Sequence, residues 1–500
     1  MKTLQKIQLI SMLLIFCGFT VSCAKEKYVA KPIDAKQVST KIFDKNLADD
    51  AFKTYLIKQG YAVADWPIQQ WGLDELTYAA LYFNPKLDVA KAQLALANTS
   101  INTANQRQNP SINATTARSN RANGDISPWS YGLDVSIPIV TNNKREIQVE
   151  EAERLRDAAQ LSVAEMAWQL RSQITKDLMA YHENSALQQA LTQESTTHNN
   201  IVNMLQKRVA TGLVDNNTLN DAKLLQQKNQ IALQALTTQL VEIKAALAAD
   251  IGINLNEKNA INIKPIELDR VLKQQSALLS SINQIALLQE NALLNRLDIR
   301  RSLAKYAAAE AKIKLEVAKQ TPDIVLSPGY IFEFGDKIWS LGFSSLLNLL
   351  NKNQTLIAEA TNLREIEGAQ FEALQTSIIG DLNSAYANYQ SSLQQVQQTQ
   401  SQLDLQLKQQ QRLQKQLDAG LADRLTLTQS RLNYLLTEQQ LLRLQFNCLK
   451  AANHIENLMQ RPLFDDSKFN DAKFDGANPC CQSAPYNQSA PYNQSAKLNP

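Results

Sequence analysis

The chain has little cysteine, glycine or proline. Its 500 residues include only 5 Cys, 14 Gly and 14 Pro. Cys17 and Cys23 lie in the N-terminal segment, and Cys448, Cys480 and Cys481 lack the spacing of a metal site or a disulfide framework. The sequence therefore predicts a fold without structural disulfides, and the Cys480-Cys481 pair is interpreted as incidental thiols in a polar tail.

Proline is absent from two very long stretches. None occurs between Pro138 and Pro265 or between Pro328 and Pro462. Because one proline costs a helix interior about 3 kcal/mol, these gaps, filled with Ala, Leu, Gln, Glu and Lys, predict unusually long helices. A helix over 144–210 would extend about 100 Å, since each residue adds 1.5 Å.

Charge of one sign and catalytic clusters are also missing. The 51 basic residues nearly balance the 48 acidic ones, and no Lys/Arg cluster is interleaved with aromatics, which argues against a nucleic-acid partner. His182, His198 and His454 lack metal-ligand spacing, and no glycine loop could cradle a phosphate. We therefore expect neither an enzyme nor a cofactor, with the histidines on helix surfaces or seams.

Long hydrophobic runs are confined to the N-terminus. Lys2 and Lys6 precede an apolar run from Leu9 to Val21, as in a secretory signal peptide. No later stretch approaches the roughly 18 to 20 apolar residues of a membrane-spanning helix. Any further crossing of a bilayer is therefore expected to use β-strands closed into a barrel.

The signal ends in a sequence similar to a lipoprotein cleavage box, Thr20-Val21-Ser22-Cys23. This predicts a signal peptide over 1–22 and a lipid anchor on Cys23, against the alternative of an unmodified signal peptide. Ala24 is not an acidic residue of the kind that suggests retention at the inner membrane. A single anchor holds a protein to a bilayer only alongside other membrane contacts.

Apolar residues in the proline-free stretches follow steps of three and four. Such spacing is typical of a coiled-coil seam. A helix with a narrow apolar seam and a polar remainder must bury that seam against a neighbouring helix. The seam positions are Leu233, Leu236, Leu240, Ile243 and Leu247 in the first stretch, and Leu425, Thr428, Leu432, Leu435, Gln439, Leu442, Phe446 and Leu449 in the second.

The two halves of the chain resemble each other at a spacing of about 210 residues. Leu205-Gln206-Lys207 leads to Gly212-Leu213, and Leu413-Gln414-Lys415 leads to Gly420-Leu421. A duplication of this period indicates two copies of one structural unit. The predicted domains are an anchor and extended N-terminal arm over 23–72, a first repeat over 73–255, a linker over 256–277, a second repeat over 278–463, and a disordered low-complexity tail over 464–500.

Each half has the same predicted order: a helix, two short β segments, a very long helix, a glycine turn and a shorter helix. In the first half, Ser111 to Arg118 and Trp129 to Val140 form a predicted hairpin, with alternation at Leu133, Val135 and Ile137. In the second half, 323–334 and 337–347 take the same place, with Gly335-Asp336 available for the turn.

This duplicated plan resembles the TolC-like outer-membrane efflux family, in a lipoprotein form. The residues that carry the resemblance are the segment Tyr131 to Ile139 before the long helix and the Gly212 and Gly420 turns with their Leu/Thr-rich sequels. The resemblance implies a mainly α fold with a small β part. Internally duplicated helix hairpins would form a trimeric α-helical periplasmic barrel, with four strands per chain in a 12-stranded outer-membrane β-barrel.

The same resemblance implies a passive exit duct for small toxic compounds, drugs or metal ions. Its expected partners are two further copies of the chain, outer-membrane lipid, a periplasmic membrane-fusion adaptor, and an inner-membrane pump of the RND or ABC type. The expected location is the outer membrane, with a lipid anchor and an extension into the periplasm.

The glycine turns are the predicted functional site. Gly212, Leu213, Gly420 and Leu421 are the expected adaptor-docking residues, since glycine lets a helix reverse and an exposed Leu suits a tip-to-tip contact. Family members often narrow the entrance with acidic rings just past the second glycine. Thr426 and Gln429 stand at those positions here, so the candidate gate becomes Asp215, Asp221, Asp418, Asp423, Thr426 and Gln429.

Two alternatives remain open from the sequence. A protein with the same fold could serve as the outer-membrane duct of a type I protein secretion system, because a water-filled duct has little chemical selectivity. A periplasmic coiled-coil scaffold lipoprotein without a channel is the alternative from another class.

Overall fold

The structure is a computed structural model, and it describes residues 28–61, 66–120, 126–256, 259–281, 285–333, 335–346 and 351–463. The signal peptide, Cys23, the tail from 464 and the Cys480-Cys481 pair lie outside these residues. The described residues 28–45 belong to a unit of their own, which contains helix α1 (Ala35–Phe43). The Asp34 carboxylate caps α1 by accepting from the backbone N–H groups of Lys36 and Gln37.

The described part of the second unit's first half contains five helices and two strands. They are α2 (Asp50–Lys58), α3 (Leu73–Phe83), α4 (Pro85–Ala104), β1 (Ser111–Arg118), β2 (Trp129–Ile139), α5 (Lys144–Ala210) and α6 (Asn216–Ile251). Asn84 caps α4, whose first residue is Pro85, and Asp215 caps α6.

The second half repeats this order. It comprises α7 (Leu268–Ser281), α8 (Ile285–Asn295), α9 (Leu297–Ala318), β3 (Ile324–Glu333), β4 (Asp336–Ser345), α10 (Gln354–Asp418) and α11 (Arg424–Met459). The predicted fold class of the chain, long helix hairpins with a small β part, is thereby confirmed. The long helix predicted over 144–210 is α5, and the four predicted β segments are strands β1 to β4.

The four strands form one antiparallel sheet in the order β1-β2-β3-β4. The two hairpins meet through β2 and β3, with Tyr131 opposite Phe332 and Ile137 opposite Leu326. One sheet therefore combines the strands of both halves, while β1 and β4 are its edges.

The helices pack as two hairpins joined along α5. Helix α5 packs on α6, and α10 packs on α11, while α5 also contacts α4, α9 and α11. The seams predicted in α6 and α11 are confirmed. None of the thirteen positions is exposed, and Leu247, Phe446 and Leu449 are fully buried.

Two apolar cores lie where the shorter helices pack on the hairpins. The first contains Phe52, Leu76, Trp168, Ile174 and Leu247, and the second contains Leu279, Ile299, Ile378, Tyr389 and Ile455. They occupy corresponding places in the two halves. Burial of such side chains, worth roughly 1.5–3 kcal/mol each, fixes the shorter helices against the hairpins.

The prediction of an extended N-terminal arm is wrong for residues 35–58. Asp34 and Asp49 each provide a helix N-cap, and the arm forms α1 and α2. Phe52 and Leu56, one helical turn apart on α2, are fully buried in the first core. The alternation of short helices with loops in this segment carried too weak a periodicity to be seen in the sequence.

The statement that no stretch after Val21 could cross a membrane as a helix also needs correction. Helix α6 contains an 18-residue window of mean hydropathy 1.2 with at most two charged residues, the one such helix found in the described part of the chain. Length and composition alone are weak indications, because core helices pass the same test. Since α6 lies along the charged helix α5 over their shared hairpin, we assign it to the helical hairpin.

Candidate functional site

Each long hairpin reverses at a glycine with a left-handed backbone. Gly212 has φ +71° and Gly420 has φ +72°, and an added Cβ would meet nothing within 4 Å at either position. The constraint is therefore on the backbone angle and not on space. The Leu213 N–H donates to the Arg208 carbonyl at 2.9 Å and the Leu421 N–H to the Gln416 carbonyl at 2.8 Å, which closes each helix end in the same way.

The residue after each glycine is an exposed leucine. Leu213 is 75% exposed and Leu421 is 81% exposed, although both follow helices with buried seams. A Schellman-type helix end often packs the corresponding residue back on its own helix. Here both leucines instead present an apolar side chain to the surroundings of the turns.

The two turns are held together by a buried cluster that we call the tip cluster. It consists of Ile201, Val202 and Leu205 of α5, Leu219 and Ala222 of α6, and Leu425 of α11. Val214 of the first turn packs against it. The tip cluster brings the start of α11 against the hairpin of the other repeat, so the two turns form one site.

An ion pair also links the turns. Arg208 Nη2 of α5 lies 2.5 Å from Asp423 Oδ1 at the start of α11. The hydrogen bond from the Arg208 guanidinium lowers the pKa of the Asp423 carboxyl, so this carboxylate stays charged at neutral pH. Both side chains are about a third or more exposed, so the pair contributes at most about 1 kcal/mol.

The two aspartates at the turns, which look equivalent in the sequence, have different partners. Asp215 accepts from the backbone N–H and the hydroxyl of Thr218, at 2.8 and 2.9 Å, and so caps its own helix. Asp423 makes no side-chain hydrogen bond to cap α11 and binds Arg208 instead. The residue four before Gly420 is Gln416, where Arg208 stands four before Gly212, so this ion pair has no equivalent in the second repeat.

The remaining candidate gate residues are exposed. Asp221, Asp418, Thr426 and Gln429 all lie on helix surfaces near the turns, and Asp418 accepts from Gln414 Nε2 at 2.8 Å. The structure therefore brings Asp423 into contact with the other repeat and leaves these four on the helix surface. The gate and docking assignments remain predictions.

Arg208 is the residue at the turns that sequence reasoning missed. It directly follows the Leu205-Gln206-Lys207 segment used to recognise the duplication. A basic residue in the last turn of a helix is a usual complement to the helix dipole and so attracts no notice. Its partner lies 215 residues away in the other repeat, and a contact at that separation has no local pattern.

Above the turns, two buried polar contacts join α5 to α11. Glu194 Oε2 accepts from Gln439 Nε2 at 2.6 Å, while its other oxygen lies 3.1 Å from His198 Nε2. Closer to the cores, Arg171 Nη1 donates to Glu456 Oε1 at 2.7 Å, and both side chains are less than a tenth exposed. These contacts fix the register of the two helices, since each requires one particular alignment.

A groove of about 280 Å³ lies beside the Arg171–Glu456 pair, between α5 and α11. Trp168, Lys176, Lys450 and His454 are among its lining residues. No group of three or more His, Cys, Asp or Glu side chains that could hold a metal occurs among the residues that the structure describes. The groove thus has the character of a packing gap between two helices.

The sheet at the other end of the helices has two chemically distinct faces. Strand register places Leu133, Ile137 and Leu326 of β2 and β3 on one face of the sheet. Asp134, Ser136 and Ser327 lie on the other face. The apolar face is uncovered: its exposed members are Ile112, Trp129, Leu133, Ile137, Ile139, Ile324, Trp339, Leu341 and Phe343. Most globular proteins do not leave so large an apolar patch open.

The opposite face carries most of the small and polar side chains of the sheet, together with Val325, Ile331 and Ile338. Asn113 Nδ2 donates to Asp134 Oδ2 at 2.9 Å, and the Ser136 and Ser327 hydroxyls lie 3.2 Å apart. A Cβ added to Gly329 would come within 2.8 Å of Ser340 Oγ, so a side chain at 329 would displace the Ser340 hydroxyl. A sheet that is apolar on its outside and polar on its inside has the pattern of a membrane barrel wall.

Two matched elbows connect the sheet to the long helices. Asn142 and Asn143 before α5, and Lys352 and Asn353 before α10, all have φ between 48° and 57°. Asn353 Nδ2 donates to the Glu316 carbonyl at 2.7 Å, and Asn142 Nδ2 to the Ala318 carbonyl at 3.3 Å. Both elbows are thus tied to the same helix, α9.

Comparison with known proteins relates part of the chain to a family by sequence and the chain to solved structures by fold. Residues 76–252, from α3 to the end of α6, match the family model described as outer membrane efflux protein. A comparison with curated protein sequences finds no match.

Solved structures share the fold at low sequence identity. The chain is similar to the outer membrane protein VceC from Vibrio cholerae, with 18% identity, a TM-score of 0.60 and coverage of 78% of this chain and 96% of that one. For the Campylobacter jejuni CmeC outer membrane channel the identity is 12% and the TM-score 0.59, with coverage of 91% of this chain and 97% of that one. For the open state of the Neisseria gonorrhoeae MtrE outer membrane channel the identity is 15% and the TM-score 0.58, with coverage of 78% and 89% in the same order. Residues 76–252 thus match the outer membrane efflux protein family in sequence, and the chain shares its fold with these outer membrane channels.

Proposed function

We propose that the protein is the outer-membrane channel of a tripartite efflux system, a passive exit duct for small toxic compounds. The observation that carries this proposal is the sheet with an uncovered apolar face and a polar face, joined directly to helix hairpins of about 100 Å. Such a sheet is stable in lipid only when its edges are paired, because lipid offers no hydrogen bonds to the backbone.

Three copies of the chain would pair these edges. Strand β4 of one copy would pair with β1 of the next, so that three four-stranded sheets close into a barrel of twelve strands. The polar face would then line a water-filled path, and the hairpins would continue it into the periplasm. An acylated Cys23 would add a lipid anchor to the contacts of the barrel.

The helix turns would form the periplasmic entrance and the adaptor-docking surface. Leu213 and Leu421 are exposed apolar side chains on glycine turns, which suits a contact with the tips of an adaptor. The Arg208–Asp423 pair and the tip cluster would hold the entrance closed by fixing the start of α11 against α5. Among the candidate gate residues, Asp423 is therefore the one we assign to the closed state.

Energy for transport would come from an inner-membrane pump, and the chain itself would carry out no chemistry. The pump class and the exported compounds depend on partners of the chain. The proposal is tested by deleting the gene and measuring susceptibility to dyes, antibiotics and metal ions. Increased susceptibility with normal protein secretion is expected, whereas lost secretion with unchanged susceptibility would show a protein-secretion duct instead.

A substitution at the turns tests the docking surface separately. Gly420→Val is expected to abolish transport while the trimer still assembles, because a β-branched residue is strained at φ +72°. Leu421→Asp should weaken adaptor binding without straining the backbone at Gly420. Leu421→Met should keep adaptor binding, because it keeps an apolar side chain of similar size. Export by Leu421→Asp at the wild-type rate would exclude Leu421 from the docking surface.

A further inference from the structure

From the sheet, we infer that Arg118 and Lys337 bind phosphate groups of the outer-leaflet lipid at the end of the sheet farthest from the helices. The inference rests on the proposed function, because it requires the apolar face to lie in a bilayer. We call this end, formed by 118, 129, 333 and 336 with their neighbours, the hairpin end of the sheet.

Charges of opposite sign are separated across the sheet at the hairpin end. Register places Arg118 opposite Trp129 and Lys337 opposite Phe332, so both cations stand on the apolar face. Glu333 and Asp336, which pair with each other across β3 and β4, stand on the polar face. Among the described residues of this end, a sheet crossing a membrane would therefore present charges of positive sign alone to the lipid.

The two cations are exposed and lie beside aromatic rings. The Arg118 guanidinium lies 5.4 Å from the centre of the Trp129 ring, which stacks on Tyr131. Next to Lys337 on the same face, Trp339 is 82% exposed and contacts Tyr330 edge-to-face at 5.0 Å. Neither cation has an ion-pair partner among the described residues, and Glu333 and Asp336, the carboxylates nearest to Lys337 in sequence, lie on the other face.

This combination fits a lipid headgroup. Aromatic side chains collect at the level where the hydrocarbon meets the headgroups, and the ring positions here mark that level on the apolar face. Phosphates lie just beyond it, within reach of long Arg and Lys side chains that extend toward the water. Arg can bind a phosphate through two parallel hydrogen bonds, and Lys acts as a point charge.

Other occupants fit less well. An anionic compound passing through the duct would meet the polar face, which carries Asp134, Glu333 and Asp336 and would repel it. The cations lie on the first and last strands of the sheet, so pairing of β4 with β1 of the next copy would bring Arg118 and Lys337 together at each of the three junctions between copies. Two neighbouring cations at each junction match the phosphate groups of a leaflet rich in phosphorylated lipid.

The test uses the full-length protein reconstituted in phosphatidylethanolamine vesicles with or without bisphosphorylated lipid A. Binding of fluorescent lipid A to the wild type is expected to be stronger than binding of the dephosphorylated lipid. The variant Arg118→Gln/Lys337→Gln should lose most of this preference, with affinity for lipid A reduced at least about tenfold, since the loss of even one of the two charge-assisted contacts has that effect. Its affinity for the dephosphorylated lipid should not change.

Matched variants separate charge from position and from assembly. Lys408→Gln/Arg412→Gln removes two exposed cations from α10 and should bind lipid A like the wild type. Arg118→Lys/Lys337→Arg keeps the charge and should also retain binding. Channel conductance of each variant is recorded alongside, because failure of the proposed function would abolish conductance in the wild type as well.

Three results would overturn the inference. The first is equal binding of phosphorylated and dephosphorylated lipid by the wild type. The second is unchanged preference for lipid A in the Gln variant. The third is full competition by millimolar inorganic phosphate, which would indicate a general anion site and not a lipid surface.

Discussion

Arg208 occupies the last turn of α5, where the helix dipole already favours a positive charge. Its guanidinium also neutralises Asp423, so one side chain serves both the end of its own helix and the start of α11. Asp215 and Asp423 occupy matching positions in the two repeats, yet only Asp423 is tied to another helix. The closed state should therefore depend on one ion pair per chain.

Replacing Arg208 by Ala should open the channel more often. A surface pair worth about 1 kcal/mol would shift the ratio of open to closed channels about fivefold, with little loss of stability. Single-channel recording in planar bilayers measures this ratio. Lys207→Ala, which removes the neighbouring exposed charge, should behave like the wild type. Equal open probabilities in Arg208→Ala and Lys207→Ala would show that the Arg208–Asp423 pair is not part of the gate.

Glu456→Ala should strongly destabilise the fold. The change leaves the Arg171 guanidinium, which is 3% exposed, without its carboxylate, and breaking a buried pair costs about 3–5 kcal/mol. Denaturant unfolding would measure this loss of free energy. Glu150→Ala removes the exposed pair with Lys314 and should cost less than about 1 kcal/mol. Similar denaturation midpoints for Glu456→Ala and Glu150→Ala would contradict the expectation that the buried ion pair contributes more to stability than the exposed one.

The sequence could identify the glycine turns but not the partners at them. Gly212 and Gly420 are recognisable because the backbone angle at a helix reversal favours glycine, a local requirement. The difference between Asp215 and Asp423 depends on Arg208, Leu219 and Leu425 from separate helices. No single-sequence pattern records which of two equivalent aspartates faces an arginine of the other repeat.

At the scale of elements, the long helices were predictable because the absence of proline is itself a strong local signal. Helix α5 begins at Lys144 and ends at Ala210, in agreement with the sequence. The strands were also found, since their alternation is bounded by turn residues. Helices α1 and α2 were missed: at nine residues each they are too short for a periodic pattern, and α2 depends on burial of Phe52 and Leu56.

At the end of α6 away from the Gly212 turn, the α5–α6 hairpin contains a pair of carboxyl groups, Asp177 and Asp250. Burial raises the pKa of Asp177 to about 6, with further contributions from a hydrogen bond and repulsion by Asp250, while Gln173 and Lys176 act in the opposite direction. The unfolded chain releases this proton near 3.8. Between these values the folded state binds more protons, so this group's contribution to stability falls as the pH rises through the window.

Asp177→Asn should stabilise the protein above pH 6, on the order of 1 kcal/mol after allowance for solvent screening, and have little effect near pH 4. The amide resembles the protonated carboxyl and avoids the cost of ionisation. The difference in unfolding free energy between variant and wild type is the measurement. Burial lowers the pKa of His182 from 6.5 to about 4, so this group makes the stability of the protein rise with pH between these values. The effect is the same in the variant and the wild type, and it cancels in the difference. Asp381→Asn, at an exposed site, should show no such pH dependence, and a flat difference for Asp177→Asn would contradict the argument.

At the scale of the whole molecule, the duplication was the most informative part of the sequence. Two similar halves predict that their hairpins pack in equivalent ways, and the sheet joins them through β2 and β3. The sequence did not reveal the ion pair specific to one repeat or the separation of charge across the sheet. Both follow from strand register and from contacts between halves, which a periodic pattern does not specify.

Leu341→Arg should impair membrane assembly. Leu341 lies midway along β4 on the apolar face and is 59% exposed, and an arginine near the middle of a bilayer costs a barrel about 2–4 kcal/mol. Ser340→Arg adds the same charge one residue away on the polar face and should assemble normally. The fraction of heat-modifiable trimer in outer-membrane extracts measures assembly. Equal assembly of both variants would place the wrong face against lipid.

The elbows at Asn142-Asn143 and Lys352-Asn353 give the long helices the geometry of levers. Each elbow is only two left-handed residues long and is tied by asparagine to α9, so the pivot is short and stiff. Because α5 extends about 100 Å from its pivot, a tilt of about 5° there would displace Gly212 by about 9 Å. In the proposed channel, widening the entrance by the diameter of a small molecule would therefore require almost no rearrangement at the membrane, and the barrel would stay sealed while the far end moves.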